Sequence, residues 1–195
     1  MAADTFFDEV YRGIPPWDIG RPQKEIIRLE ETGEIKGDVL DVGCGTGENA
    51  LFLAERGHIA WGVDFAPRAI LKAKAKAKKR GLKAVFLIQD ALKLQNLMKQ
   101  FDTVIDCGLF HTLSDAERPI FERSLESVLK PGGTYFMLCF SDREPGAWGP
   151  RRVTQTEIRD TFSDGWEINY IQEANFISNL GEEKIWAWLS SITRL

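Results

Sequence analysis

Three glycines spaced two residues apart have the clearest chemical use in this sequence. Gly43, Gly45 and Gly47 follow the apolar run VLDV and precede a helical pattern that begins near Glu48. Glycine permits a tight turn and leaves no side chain between the backbone and a bound molecule. The first turn of the helix offers free amide hydrogens to a polar or anionic group. The motif therefore predicts a turn that holds a nucleotide-like ligand.

Polar residues follow the next apolar runs, at the points where strands are expected to end. Asp64 comes seventeen residues after Gly47, and its carboxylate is suited to accept hydrogen bonds from two ribose hydroxyls. Phe65 is suited to pack on a purine face. Residues 89–91 are suited to form hydrogen bonds with the edge of an adenine ring. A fourth run ends at Cys107. Because ligands bind outside the carboxyl ends of parallel strands, this convergence strengthens the prediction.

Two other interpretations of the glycine motif are an ordinary strand–helix turn and the phosphate-binding turn of a dinucleotide dehydrogenase. The dehydrogenase fingerprint needs glycine or alanine three residues after Gly45, where this sequence has Glu48. That side chain would crowd a pyrophosphate, and its charge would repel one. The spacing therefore favours a ligand without phosphates.

The elements that must position these residues alternate between apolar runs and helical patterns, which is typical of a parallel sheet covered by helices. The pairs Ser114/Glu117 and Thr154/Glu157 are capping boxes, which predict helices to about residues 129 and 162. Two further helices are predicted over 48–56 and 67–80. Strands are predicted over 38–42, 59–64, 84–88, 101–107 and 134–140, with 166–173 and 184–192 as an antiparallel edge hairpin.

Length, composition and charge limit the class of protein. The chain has 195 residues, 44% of them hydrophobic, which predicts one domain, with 1–37 as an N-terminal helical lid segment and 38–195 as the core. The net charge of −4 argues against a nucleic-acid partner, and a solvated helix face explains the lysine-rich run at 68–83. Three cysteines, no secretory signal and no membrane-length apolar run predict a cytoplasmic protein.

Five motifs occur together and in a characteristic order: DVGCGTG at 41–47, GVDFAP at 62–67, QDAL at 89–92, DCGLFHTL at 106–113 and LKPGGTYFM at 129–137. Through them the sequence resembles the class I S-adenosylmethionine-dependent methyltransferases. The resemblance implies a Rossmann-like, seven-stranded, mostly parallel sheet with helices on both faces and an antiparallel last strand. It also implies S-adenosylmethionine as cofactor, S-adenosylhomocysteine as product, and no metal.

The same resemblance assigns parts of the cofactor to residues of this chain. It implies that the methionine moiety lies near the turn at 41–47, the ribose on Asp64, and the adenine between Phe65 and the segment 90–91. The cofactor contacts implied in this way are Trp17, Asp41, Gly43, Cys44, Gly45, Gly47, Asp64, Phe65, Asp90, Ala91 and Cys107.

The flanking segments bear on the methyl acceptor. GIPPWDIGRPQ at 13–23 resembles the lid of the thiopurine, halide and thiol methyltransferases, which implies that Trp17 covers the cofactor or the acceptor. GLFHTLSDAER at 108–118 is similar to the same group, which has an arginine near the site where Arg118 stands here. DCGLFHTL is equally common in methyltransferases of phenols and quinones. These motifs do not distinguish among thiols, halides, phenols and similar small molecules as the methyl acceptor.

Methyl transfer from a sulfonium to an anionic acceptor is an in-line displacement that removes two opposite charges, so apolar closure of the site favours it. Trp17, Phe110 and Trp148 are candidates for that closure, with a place in the core as the alternative. His111 is a candidate general base for a hydroxyl acceptor, or a loop residue bonded to backbone. The loop at 141–153 contains Arg143, Arg151 and Arg152. These arginines are candidates to bind an anionic acceptor; the alternative is that they are solvated loop residues.

Two other functions remain as alternatives, a methyltransferase acting on protein or nucleic acid and a non-catalytic nucleotide-binding protein. Residues 106–109 read DCGL rather than Asn-Pro-Pro-Tyr, and there is no basic extension. The sequence therefore predicts a small-molecule acceptor, no nucleic-acid or membrane partner, and a monomer or weak dimer.

Overall fold

The computed structural model describes residues 3–181 and 184–195, and it is built on a seven-stranded sheet. The strands are β1 (Val39–Val42), β2 (Ala60–Asp64), β3 (Val85–Ile88), β4 (Phe101–Cys107), β5 (Leu129–Phe140), β6 (Trp166–Phe176) and β7 (Ile185–Arg194). The α-helices are α1 (Ala3–Val10), α2 (Lys24–Glu31), α3 (Glu48–Glu55), α4 (Pro67–Arg80), α5 (Arg118–Val128) and α6 (Gln155–Thr161), and two 3₁₀ segments span Ala91–Leu97 and Phe110–Thr112.

The sheet has the order β3-β2-β1-β4-β5-β7-β6. Neighbours from β3 to β5 pair in parallel, while β7 is antiparallel to both β5 and β6. The predicted fold class and the antiparallel hairpin at one edge are confirmed. Because β1 to β5 are parallel, their carboxyl ends lie at one edge of the sheet, where the polar residues of the sequence motifs meet.

Apolar side chains pack on both faces of the sheet. Leu29 of α2, Leu51 of α3 and Ala73 of α4 belong to the core on one face, and Phe121 and Leu125 of α5 to the core on the other. Covering both faces explains why the inner strands are almost continuously apolar. Within residues 3–181 and 184–195, no helix is long and apolar enough to cross a membrane.

Helix α4 has the boundaries that its sequence predicts. Pro67 occupies the first helical turn, where its missing N–H has no partner to lose, and Gly81 ends the helix at φ 69°. Ala69, Ala73 and Ala77 are buried against the sheet, so the lysines between them point away from it. Local sequence is sufficient to fix this element.

One of the two helix starts predicted from capping boxes is wrong. Helix α5 begins at Arg118, because the Glu117 carboxylate accepts hydrogen bonds from both the N–H and the Oγ of Ser114 in a preceding turn. The Ser114 hydroxyl therefore donates to Glu117 instead of accepting from a helical amide. At α6 both bonds of the Thr154/Glu157 capping box are present, as predicted.

Candidate active site

A cavity of about 850 Å³ opens at the carboxyl ends of β1, β2 and β4. Its wall combines the glycine turn with side chains from the N-terminal segment, the 141–153 loop and the end of β6. The volume lies near the upper end of the roughly 300–1,000 Å³ range of small-molecule sites. Among the described residues, no three His, Cys, Asp or Glu side chains are grouped as metal ligands.

The glycine turn needs glycine for two separate reasons. Gly45 has φ 52°, and a Cβ there would lie 2.7 Å from the Tyr11 hydroxyl on the cavity side. Gly47 has φ 84°, and a Cβ there would lie 2.7 Å from the Phe86 ring in the core. The turn is thus pressed between the N-terminal segment and the sheet, with bare backbone facing the cavity.

Asp64, the last residue of β2, holds this turn in place. Its Oδ2 accepts a hydrogen bond from the Gly45 N–H at 2.9 Å, and its Oδ1 accepts one from the Ala66 N–H at 2.8 Å. Burial raises the pKa of Asp64, and these two amide bonds act in the opposite direction. Each carboxylate oxygen retains a further lone pair, so the group can still accept bonds from a ligand in the cavity.

Aromatic rings from the N-terminal segment stand over the Asp64 side of the cavity. The Phe7 ring packs against Phe65 and Trp17, with centroids 5.7 and 6.0 Å apart. The Trp17 Nε1–H donates a hydrogen bond to the Tyr11 hydroxyl at 2.9 Å. The lid predicted at 13–23 is therefore an extension of an aromatic cluster that begins in α1.

Polar contacts anchor the 13–23 segment beside the glycine turn. The Thr46 hydroxyl donates to Asp18 Oδ1 at 2.7 Å, and Lys76 Nζ donates to the same hydroxyl at 2.6 Å. Lys76 also pairs with the buried Glu48 at 2.8 Å. Farther along, the Gln23 N–H donates to Asn49 Oδ1 at 3.0 Å. Lys76 thus differs from the solvated lysines of α4.

His111 lies in the opposite half of the cavity, among aromatic rings. Its ring centroid is 4.9 Å from that of Phe140 and 5.8 Å from that of Phe176, and Trp148 packs edge-on against Phe140. The Phe140 N–H donates to His111 Nδ1 at 3.0 Å. Burial, with a smaller contribution from the charge of Arg152, lowers the pKa of His111 to about 3. The imidazole is therefore neutral near pH 7.

Comparison with known proteins identifies the family of this chain. Residues 39–133 match the family model of a methyltransferase domain. Over 184 residues the chain is 40% identical to the 2-heptyl-1-hydroxyquinolin-4(1H)-one methyltransferase of Mycobacteroides abscessus, covering 89% of this chain and 81% of that protein. This chain belongs to the S-adenosylmethionine-dependent methyltransferases.

Two further proteins are similar to this chain over nearly its whole length. A probable thiol methyltransferase of Arabidopsis thaliana is 29% identical over 187 residues, covering 93% of this chain and 82% of that protein. A structure solved in work on the conversion of a disulfide bond into a thioacetal group during echinomycin biosynthesis superposes with a TM-score of 0.91 at 38% identity, covering 98% and 92% of the two chains.

Most residues predicted for the site of this methyltransferase lie in the cavity wall. They come from the glycine turn, the strand ends and the two Pro/Gly-rich loops, which the fold brings to one edge of the sheet. They are Trp17, Gly43, Cys44, Gly45, Gly47, Asp64, Phe65, Ala91, Cys107, His111, Trp148 and Arg151.

Two carboxylates assigned to the cofactor lie outside the wall. Asp41 is only 1% exposed and faces the Ala50 N–H, and its Oδ2 has no hydrogen-bond partner within the described residues. Asp90 accepts from the Leu92 N–H at 2.9 Å and so caps the 3₁₀ segment that follows β3. The residue that shares the wall with Ala91 is Gln89.

The prediction that Phe110 and Arg118 contact the substrate is wrong. The short 3₁₀ turn at Phe110–Thr112 directs Phe110 into the core, where it packs against Phe121 and Phe162. Arg118 is 4% exposed, lies 4.6 Å above the Phe110 ring and pairs with Glu157 at 3.0 Å. These contacts place both side chains on the α5 side of the sheet, away from the cavity.

The three arginines of the 141–153 loop form ion pairs or hydrogen bonds with other groups of the protein. Arg143 pairs with Glu173 outside the cavity, which contradicts its predicted contact with the acceptor. Arg151 reaches the wall but pairs with Asp115 and Glu157. Arg152 holds the loop together and lies outside the wall, because its guanidinium donates to the carbonyls of Glu144, Pro145, Gly146, Trp148 and Pro150.

Several wall residues were missed from the sequence. Phe7 and Tyr11 lie on or next to α1, and Phe140 and Phe176 end strands that form the hairpin side of the sheet. An aromatic at a strand end or on a short helix is usually a core residue. For Phe140 the sequence does contain a signal for a place in the site, because this residue directly precedes the Pro/Gly-rich loop.

We expect Trp17→Ala to lower kcat/KM about 3- to 30-fold, the range expected from loss of one ring near a cation. The melting temperature should change little, because the side chain is 43% exposed. Trp186→Ala is the matched control, since Trp186 is 40% exposed on β7 and does not line the cavity. A collapse in melting temperature for Trp17→Ala alone would assign this residue a structural role.

Proposed function

We propose that this methyltransferase moves the methyl group of S-adenosylmethionine to an oxygen or sulfur anion on a small aromatic or heteroaromatic acceptor. The observation that carries the proposal is one cavity with two chemically different halves. The glycine turn and Asp64 form a polar half, and the rings around His111 form an apolar half. Cys107 and Gly108, at the end of β4, contribute to the same wall.

The polar half fits the adenosyl and methionine groups. Gly43, Gly45 and Gly47 present backbone without side chains to this half of the cavity. Asp64 has lone pairs left for two ribose hydroxyls. We assign the adenine ring to Phe65, Gln89 and Ala91, which line this part of the wall. These are the residues that we assign to the cofactor.

S-adenosylmethionine supplies a methyl group carried on a sulfonium cation. The residues of the chain position both reactants and keep water away from them. Trp17 covers the polar half, and Phe140, Phe176 and Trp148 cover the apolar half. Holding two reactants in line is worth roughly 7–11 kcal/mol of the barrier, and a dry site favours the loss of opposite charges.

The aromatic and neutral character of the second half favours a flat acceptor over a bare halide ion. One relative is named for an N-hydroxyquinolone and another for thiols. Each name refers to an acceptor with an ionisable O–H or S–H group.

Calorimetric titration and a labelled-methyl assay test this proposal. We expect S-adenosylmethionine and S-adenosylhomocysteine to bind and NAD to give no heat. We expect label to pass to hydroxyquinolones, thiophenols or phenols more readily than to iodide or thiocyanate. Asp160→Ala, an exposed change on α6, serves as the control. Binding of NAD, or no transfer to any acceptor despite cofactor binding, would contradict the proposed function.

A further inference from the structure

We propose that His111 donates a hydrogen bond from Nε2–H to the anionic atom of the methyl acceptor, and so selects acceptors that arrive already ionised. This inference rests on the proposed function and names the group that distinguishes its acceptors. It replaces the general-base role predicted from the sequence.

The hydrogen bonding of the ring decides which nitrogen carries the proton. Nδ1 accepts the Phe140 N–H at 3.0 Å, so the neutral ring must carry its hydrogen on Nε2. Among residues 3–181 and 184–195, the one hydrogen bond to the His111 ring is at Nδ1, which leaves Nε2 without a protein partner. His111 lines the cavity, and Nε2 is not among the buried polar atoms that lack a partner, so its N–H is open to the cavity and available to a ligand atom.

The surroundings of His111 disfavour a second proton on the ring. Phe140 and Phe176 enclose it with apolar surface, and the Arg152 guanidinium lies 5.5 Å above the Phe140 ring. Burial, aided by Arg152, holds the pKa of His111 at about 3. At the end of β4, burial raises the pKa of the Cys107 thiol, which therefore stays neutral. An imidazolium is thus unfavourable in this half of the cavity, whereas an anion beside Nε2–H is favoured.

The reaction balances without any proton reaching the enzyme. The acceptor loses its proton to solvent before it binds. Its lone pair forms the new bond to the methyl carbon while the carbon–sulfur bond breaks, and that electron pair stays on sulfur as a neutral thioether. The His111 proton remains on Nε2 throughout. Because the methylated product has lost its charge, its hydrogen bond to His111 is weaker, which favours release.

The pH dependence of kcat/KM separates a donor from a base. We propose to use para-substituted thiophenols and phenols whose own pKa values differ. If His111 is a donor, the midpoint of the profile follows the pKa of each acceptor. A midpoint that stays at one value for all acceptors would mean that a group on the enzyme removes the proton, and would overturn the inference.

Two substitutions test the hydrogen bond itself. His111→Asn can still accept the Phe140 N–H but is too short to reach the cavity, so kcat/KM should fall about 10- to 100-fold, as expected for one hydrogen bond to a charged group. His111→Gln can place an amide N–H near the position of Nε2 and should recover part of that loss. Equal activity of His111→Asn and the wild type would also overturn the inference.

Measuring cofactor binding distinguishes a failure of this inference from a failure of the proposed function. His111 lies away from Asp64 and the glycine turn, so both variants, measured below their own melting temperatures, should bind S-adenosylmethionine with the wild-type Kd. If the wild type itself fails to bind the cofactor, the proposed function fails. If the variants bind it normally and the midpoint stays fixed, only the role of His111 fails.

Discussion

Replacing Asp64 by alanine is expected to raise the Kd for S-adenosylmethionine by about 100-fold or more. The carboxylate fixes the turn through the Gly45 and Ala66 amides, and in the proposed complex it also accepts the ribose hydroxyls. A hydrogen bond to a charged group contributes about 1.5–3 kcal/mol, and each 1.4 kcal/mol changes an affinity tenfold. Loss of two such bonds therefore accounts for the expected change.

Calorimetric titration of each variant measures this effect directly. Asp64→Asn keeps one acceptor oxygen but loses the charge, so its affinity should lie between those of the wild type and Asp64→Ala. Asp160→Ala removes an exposed carboxylate and should leave the Kd unchanged. If Asp64→Ala binds as well as Asp160→Ala, the ribose does not lie on this residue.

Replacing Asp41 by asparagine is expected to stabilise the protein at pH 8 and to have little effect at pH 4. Burial, with the nearby charges of Asp106 and Asp64, raises the pKa of Asp41 from 3.8 to about 8 despite a hydrogen bond from the Ala50 N–H. Between pH 4 and pH 8 the unfolded chain loses this proton while the folded chain retains it. Stability contributed by the protonated group is therefore lost as the pH rises through this window.

The expected gain at pH 8 is about 3–5 kcal/mol, since one pKa unit corresponds to 1.36 kcal/mol. For a chain of this size that equals a rise in melting temperature of about 10 °C. Asparagine is isosteric with the protonated acid, so its carbonyl can keep the Ala50 bond. Thermal denaturation of both proteins from pH 4 to pH 8 measures the difference. A variant that melts lower at every pH would show that an ionised Asp41 stabilises the fold.

The geometry of the polar half of the cavity, which we propose binds the cofactor, was largely predictable because its signals are local. Gly45 and Gly47 need positive φ, and Asp64 ends an apolar run at a fixed distance after them. A parallel sheet brings such strand ends together whatever the other side chains are. The same locality explains α4, whose start, end and buried face follow from Pro67, Gly81 and the alanine spacing.

The apolar half of the cavity, which we propose binds the acceptor, was predicted poorly because its residues are neighbours only in the folded chain. Phe110 and His111 are adjacent and equally plausible in sequence, yet one 3₁₀ turn buries the first in the core and aims the second at the cavity. Arg118 is held by Glu157, thirty-nine residues away. The role of His111 depends on the Phe140 amide, which comes twenty-nine residues later.

The sequence by itself determined the parallel sheet, the glycine turn and the acid at the end of β2, because hydrophobic periodicity and backbone sterics act over a few residues. The tertiary structure alone decided which aromatic rings face the cavity, which arginines are already paired, and which nitrogen of His111 bears a proton. Those outcomes depend on burial and on partners from distant strands, and no local pattern encodes either of them.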